Sequence, residues 1–276
     1  RVLLGTQLIA MDKLGLDDEL FDTVKKLSRL SSGLVIVCGP TGSGKTSTLY
    51  SLMRELDTDN LSVVTLEDPI EVELGDVTQG QTNVRQGFTF ATGLRAILRQ
   101  DPDVILVGEM RDSETAQIAL QASLTGHLVL TTLHTSNTVE TIARIVDLGV
   151  EPWIVGNSLQ AIIAQRLVRK LCPACSEPAT LASPIMHDKE VLLDAGAATR
   201  KAVGCQRCHQ TGYLGRTGIF EVLVLDDDLR DLIRSRASTR QYRDYIRKAS
   251  IKSLRAAGAA RVAAGVTTVD EVLRVT

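Results

Sequence analysis

Four short apolar runs recur along the first half of the chain, and each gives way to polar residues. They are Leu34–Cys38, Ser62–Leu66, Val104–Val107 and Leu128–Leu133. Their length and β-branched content predict strands buried on both faces. Between them the spacing predicts helices over 47–56, 90–100 and 113–124, and after the last a helix over 138–148. Alternating strands and helices predict an α/β core built on a parallel sheet. In such sheets ligands bind beyond the carboxyl ends of the strands, which is where all four polar clusters fall. The second half is less regular. Pro152 to Lys170, carrying Trp153, Ile154, Leu159, Ile162, Ile163 and Leu167, reads as a largely apolar helix. Leu229 to Ala260 is rich in arginine and helix formers and reads as a solvated helical face or a subunit contact.

The first strand runs into Gly39-Pro40-Thr41-Gly42-Ser43-Gly44-Lys45-Thr46, followed by Ser47 at the start of a helix. This is a complete GxxxxGK[ST] phosphate loop in the strand–loop–helix context that makes the pattern credible. Glycines let backbone N–H groups converge on phosphate oxygens, and the helix N-terminus adds unpaired donors. Lys45 can reach the β- and γ-phosphates, and the Thr46 hydroxyl can ligate Mg²⁺. The pattern points to a nucleoside triphosphate.

The other polar clusters supply what phosphoryl transfer needs, which is positioning and charge. The second strand runs into Glu67-Asp68-Pro69-Ile70-Glu71, the third into Gly108-Glu109-Met110-Arg111-Asp112, and the fourth into His134-Thr135-Ser136-Asn137. Glu109, after Val-Ile-Leu-Val-Gly, holds the position of a carboxylate that acts with Mg²⁺; Glu71 and Asp68 could do the same work. His134 could donate a hydrogen bond to the γ-phosphate, whereas His127 reads as structural.

Composition narrows the partners. Lys and Arg number 31 against 33 Asp and Glu, and aromatics are 3% of the 276 residues. That balance offers little to a nucleic acid, and Asp231 and Asp244 interrupt the arginine-rich stretch. A nucleic-acid-dependent translocase remains the more distant alternative. No apolar stretch approaches the ~18–20 residues of a membrane span. The chain opens on Arg1 rather than Met without a signal-peptide pattern, and so reads as the later part of a longer protein.

Cys172-Pro-Ala-Cys175 and Cys205-Gln-Arg-Cys208 are two CxxC knuckles separated by 29 residues. Two such knuckles can close a tetrahedral zinc site of structural type. The interval exceeds the ~15–20 residues of the commonest arrangements, so residues 179–203 are expected to loop out. Cys205-Gln-Arg-Cys208-His209 also spells a c-type haem attachment pattern, and either pair could be a redox couple. The paired cysteines suit a reducing, cytoplasmic compartment. Cys38, inside the first strand, reads as a small core residue.

Taken together these residues resemble the secretion ATPases of type II secretion and type IV pilus systems. The likeness runs through Gly39 to Thr46, Leu66 to Glu71, Leu98 to Asp112, Thr125 to Thr135, Ala164 to Leu167, the two cysteine knuckles and Gly212 to Glu221. It implies a RecA-like P-loop core over 15–170, a four-cysteine zinc module over 171–215 and a helical C-terminal subdomain over 216–276. Residues 1–14 would be the stub of a preceding domain, which in this family supplies arginines to the nucleotide. The resemblance implies a Mg²⁺-dependent ATPase working as a homo-hexamer. Its partners would be an inner-membrane platform protein and cytoplasmic adaptors at the cytoplasmic face of the membrane. It also implies that Glu71 polarises the attacking water, Glu109 acts with Mg²⁺ and His134 contacts the γ-phosphate. The cysteine module points to the secretion and pilus-extension branches, and Leu225 to Arg230 looks closer to the secretion branch. Pilus assembly and DNA uptake stay open.

Overall fold

The computed structural model describes residues 8–187 and 190–276. Along the chain the elements are α1 (Asp18–Leu27), β1 (Gly33–Cys38), α2 (Lys45–Met53), β2 (Val63–Glu67), β3 (Thr78–Gln81), α3 (Phe90–Ile97) and β4 (Val104–Val107). Next come α4 (Ser113–Leu124), β5 (Leu128–Leu133), α5 (Thr138–Asp147), α6 (Pro152–Ser158) and β6 (Leu159–Leu171). Four short strands follow: β7 (Glu177–Thr180), β8 (Ile185–His187), β9 (Glu190–Leu193) and β10 (Ala198–Lys201). The chain closes with β11 (Tyr213–Val224), α7 (Asp227–Arg234), α8 (Thr239–Lys248), α9 (Leu254–Ala263) and α10 (Val269–Val275).

The described residues form a seven-stranded sheet in the order β11-β6-β1-β5-β4-β2-β3. Its neighbours pair in parallel except at β11, which runs antiparallel to β6. Side chains of the central strands alternate between two cores. Leu34, Ile36 and Cys38 of β1 face the core under α3, α4 and α5, while Val35 and Val37 face the one under α1 and α2. Period-two alternation with both faces apolar is why these strands read as continuous hydrophobic runs. The parallel α/β core expected from the pattern is present, and Cys38 is the buried core residue it was read as.

Three expectations change. Pro152 to Lys170 is not one helix: α6 ends at Ser158 and β6 takes over. As a strand, this segment supplies backbone partners to two neighbours at once, β1 on one side and β11 on the other. Ala161 and Ile163 enter one core, Ile162 and Ala164 the other. A run apolar on every side has no period that separates helix from buried strand; the open edge of β1 decides it. Second, residues 179–203 do not simply loop out. They fold into two antiparallel pairs, β7 with β10 and β8 with β9, and Leu181 and Ile185 bury into the main core. Third, β11 runs across position 215, where the sequence places the end of the cysteine module, and joins the main sheet.

Of the expected N-terminal stub, residues 1–7 lie outside the described residues; Met11 and Leu14 are buried against the core that α2 covers. Several cations of the arginine-rich stretch make internal contacts. Arg230 donates to the Gly156 and Leu159 carbonyls and to Gln160 Oε1, Arg234 bonds Asn157 and Asp231, and Arg247 pairs with Asp244. No helix among the described residues is long and apolar enough to cross a membrane.

Candidate functional site

The phosphate loop spans the end of β1 and the start of α2, at the carboxyl edge of the sheet. Gly44 is the N-cap of α2 with φ +90°, a left-handed conformation that strains any other residue. A Cβ there would also lie 2.8 Å from Nε2 of Gln165. Gly42, at φ +78°, has no atom within 4 Å of a built Cβ, so its backbone faces open space where a ligand can approach. Lys45 is buried and donates to the carbonyls of Gly39 (2.9 Å) and Pro40 (3.1 Å). Burial lowers the Lys45 ammonium below its ordinary value, with the Glu109 carboxylate pulling the other way. Ser43 Oγ is buried and has no hydrogen-bond partner. A loop with an orphaned hydroxyl and an ammonium held by its own carbonyls is suited to a phosphate chain, which would satisfy both.

Glu109 follows β4 and is 9% exposed. Its Oε1 is taken by the Arg111 guanidinium, whereas Oε2 is buried and accepts no hydrogen bond. His134 sits at the end of the neighbouring strand β5, with Nε2 3.4 Å from that Oε2. Thr132 Oγ1 donates to the Gly108 carbonyl (2.7 Å) and Met110 N to the Thr132 carbonyl (3.1 Å), which clamps the two strand ends together. Asp112 serves a structural purpose, capping α4 through Thr115 N (2.8 Å). An unsatisfied buried carboxylate oxygen beside the phosphate loop fits a divalent cation, which Thr46 could share.

Asp68 and Glu71 are both exposed, on the segment that leaves β2. Glu71 lies within electrostatic range of Lys45, where its charge makes a small contribution against the lowering by burial. Glu67 differs from both: it is 4% exposed and accepts from Tyr50, Thr65 and Gln79. His127 Nδ1 is 2.8 Å from the Ala122 carbonyl, in keeping with a structural place.

Two residues of the site carried no role in the sequence reading. Gln165, on β6, is buried against Gly44 and accepts from Thr48 Oγ1 (2.7 Å). Arg166 donates to the carbonyls of Gln165 (2.9 Å), Ser136 (2.7 Å) and Val275 (3.1 Å), joining the loop after His134 to the C-terminal helix. Burial lowers the Arg166 pKa from its ordinary value. In the sequence both lie within Ala164 to Leu167, one of the segments that carry the family resemblance, as a polar pair interrupting an apolar run.

The four cysteines of the knuckles converge. Their sulfurs all lie within 4.8 Å of one another, and the Cys172–Cys205, Cys175–Cys208 and Cys205–Cys208 pairs are 3.9, 3.8 and 3.8 Å apart. A tetrahedron with Zn–S bonds of about 2.3 Å has S···S edges of about 3.8 Å, so the cluster has the dimensions of a zinc site. All five cysteines are free thiols. Burial pushes Cys208 up, but backbone N–H groups of Cys205 and Gly212 outweigh it and bring this thiol down to about 6. Convergence of both knuckles is what a shared metal needs, and neither a haem link nor a lone redox couple calls for it.

Comparison with known proteins agrees with this geometry. The family model for Type II/IV secretion system protein matches residues 2–274. The chain is 46% identical over 268 residues to Type II secretion system protein HxcR of Pseudomonas aeruginosa, covering 97% of this chain and 54% of that one. It is 46% identical over 272 residues to Type II secretion system ATPase E of Vibrio cholerae, covering 96% and 53%. To Type IV pilus assembly ATPase TfpB of Acinetobacter baylyi it is 45% identical over 270 residues, covering 96% and 46%. The chain thus spans about half the length of the curated relatives it matches. Among solved structures, the pilus retraction motor PilT with bound ADP superposes with a TM-score of 0.70 at 30% identity, over 99% of this chain and 68% of that one. The Legionella pneumophila ATPase DotB gives 0.68 at 25%, over 97% and 65%. With a family model matching nearly its whole length and relatives at about 46% identity, the chain belongs to the Type II/IV secretion system protein family.

Proposed function

We propose that this chain is the ATPase part of a homo-hexameric motor that hydrolyses MgATP to drive pseudopilus assembly in type II secretion. The observation that carries the reading is the orphaned, buried Oε2 of Glu109 beside a phosphate loop whose Lys45 is bonded to its own carbonyls. In this reading Gly39 to Ser47 hold the phosphates, with Lys45 on the β- and γ-phosphates. Thr46 and Glu109 would hold Mg²⁺, which when bound neutralises phosphate charge. Glu71 orients the attacking water, and His134 donates to the γ-phosphate. The four cysteines would hold zinc as a structural ion that contributes to folding. The motor would sit at the cytoplasmic face of the inner membrane, peripheral to it through a platform protein and adaptors, without direct contact to nucleic acid.

Type IV pilus assembly is the second reading, favoured by the 45% identity to TfpB. The test of hydrolysis is MgATP turnover per subunit against protein concentration. Specific activity that climbs with concentration supports a site completed between subunits. Activity that is substantial and flat would remove the ring from the reading, and strong stimulation by DNA or RNA would move it to a translocase.

A further inference from the structure

Tyr50 lies one turn beyond Thr46 on α2, so the two side chains project from the same face of the helix that opens at the phosphate loop. The Tyr50 hydroxyl donates to Oε2 of Glu67, the last residue of β2. Oε1 of Glu67 accepts from Thr65 Oγ1 at 2.6 Å and from Gln79 Nε2 at 3.0 Å. Gln79, on β3, reaches onward: its Nε2 donates to the Val72 carbonyl (3.1 Å) and its Oε1 accepts from Leu74 N (2.7 Å). The Tyr50 oxygen also faces the backbone amides of Glu71 and Val72, and burial beside the Glu67 carboxylate raises its pKa well above that of an ordinary phenol.

These contacts join three elements through one buried carboxylate. Glu67 is buried and each of its oxygens is engaged by a donor. What the network grips is the backbone of residues 71–74, the segment that displays the exposed Glu71 carboxylate. A fully satisfied buried polar network is stiff, because every member is costly to leave unpaired. A catalytic carboxylate on an exposed loop needs such stiffness, since a displacement of about 1 Å can cost about a hundredfold in rate.

We propose that Tyr50 and Glu67 are positioning residues. They tie the Glu71 segment to the phosphate-loop helix, so that the placement of the water-orienting carboxylate follows the helix that holds the phosphates. This rests on Glu71 having the role proposed above.

The test compares Tyr50→Phe, Gln79→Leu, Glu71→Gln and the double variant Tyr50→Phe/Glu71→Gln. Steady-state and single-turnover hydrolysis are measured, with a fluorescent ADP analogue reporting binding and melting temperature reporting the fold. Tyr50→Phe is expected to lower kcat about tenfold while KM for ATP and analogue affinity stay within about twofold, which a loosened fold would not separate. In the Glu71→Gln background it should cost nothing further, because its effect passes through the missing carboxylate. Gln79→Leu releases Val72 and Leu74 without touching α2 and should give the same kcat-specific loss, which keeps the proposal open to test should Tyr50→Phe fold poorly. Unchanged kcat in both single variants, or the same tenfold loss with and without Glu71, overturns the proposal. If Glu71→Gln itself turns over normally, the reading of Glu71 falls first; if it is slow while the other two are normal, only the positioning role falls.

Discussion

His134 Nε2 lies 3.4 Å from Oε2 of Glu109, across the parallel pair formed by β4 and β5. Glu109 and His134 are 25 positions apart in the chain. Strand register alone brings them together, with Val107, the last residue of β4, opposite Thr131 of β5. The buried oxygen faces a ring nitrogen without a hydrogen bond between them, so both groups are available to a ligand.

Replacing Glu109 with Gln keeps the volume and removes the charge. Nucleotide binding should persist while turnover falls about a hundredfold or more, as expected for loss of an interaction made in the transition state. Fluorescent nucleotide titration and phosphate release check the two halves. Normal turnover would take Glu109 out of the mechanism.

Lys45→Ala removes the ammonium that bonds the Gly39 and Pro40 carbonyls. Charge-assisted hydrogen bonds to phosphate contribute about 1.5–3 kcal/mol each, so nucleotide affinity should fall about ten- to a hundredfold or more. The fold should change little, because the loop sits at the sheet edge. Calorimetric titration with ATP reads the first expectation and the melting temperature the second. Wild-type affinity in the variant would sink the phosphate-loop reading.

Changing Cys172 and Cys205 to Ser takes one sulfur from each knuckle. Zinc measured by elemental analysis should drop from about one atom per chain to none, and the melting temperature should fall. The affected region is the one around Cys205 and Gly212, whose backbone N–H groups donate to Cys208 Sγ. A full zinc content in the double variant would refute the four-cysteine site.

Glu271, buried at the start of α10, gives the fold a pH dependence. Burial pushes its carboxyl up, but hydrogen bonds from Arg274 and Arg169 outweigh that and bring it down to about 2, against an ordinary 4.5. A depressed carboxylate stabilises the folded state fully above its unfolded value and loses that contribution as pH falls through its folded one. Stability from this group is therefore present above about pH 4.5 and is lost progressively toward pH 2. Both arginines are substantially exposed, so screening reduces the effect to about 2 kcal/mol. In denaturant titrations of wild type and Glu271→Gln, the stability gap should narrow between pH 7 and about 3. A constant gap across that range would show that the carboxylate charge is not what holds α10.

Much of the fold was legible residue by residue. The strands Val104–Val107 and Leu128–Leu133 and the helix Ser113–Leu124 fall where the pattern places them, because strands buried on both faces and a capped helix carry local signals. The loop between β1 and α2 was legible for a related reason, since glycine, lysine and threonine at that fixed spacing follow a strand and open a helix, as they do here. Leu159–Leu171 was not, because its apolar residues suit a buried helix equally well and only the edge of β1 selects the strand. Glu67 was read together with its neighbours Asp68 and Glu71 as one acidic box. Sequence offers no measure of burial, and burial separates the first from the other two.

The linear order of residues was enough to determine the α/β class, the glycine-rich loop between the first strand and its helix, and the two paired-cysteine knuckles. Each of these depends on side chains close together in the chain, where spacing and periodicity are direct readouts of geometry. Tertiary structure decided which distant groups meet: Glu109 with His134, Tyr50 with Glu67, Arg166 with Val275, and the first knuckle with the second. Those meetings depend on strand register and order in the sheet. Burial of apolar surface summed over the whole chain sets that arrangement, and no local stretch encodes it.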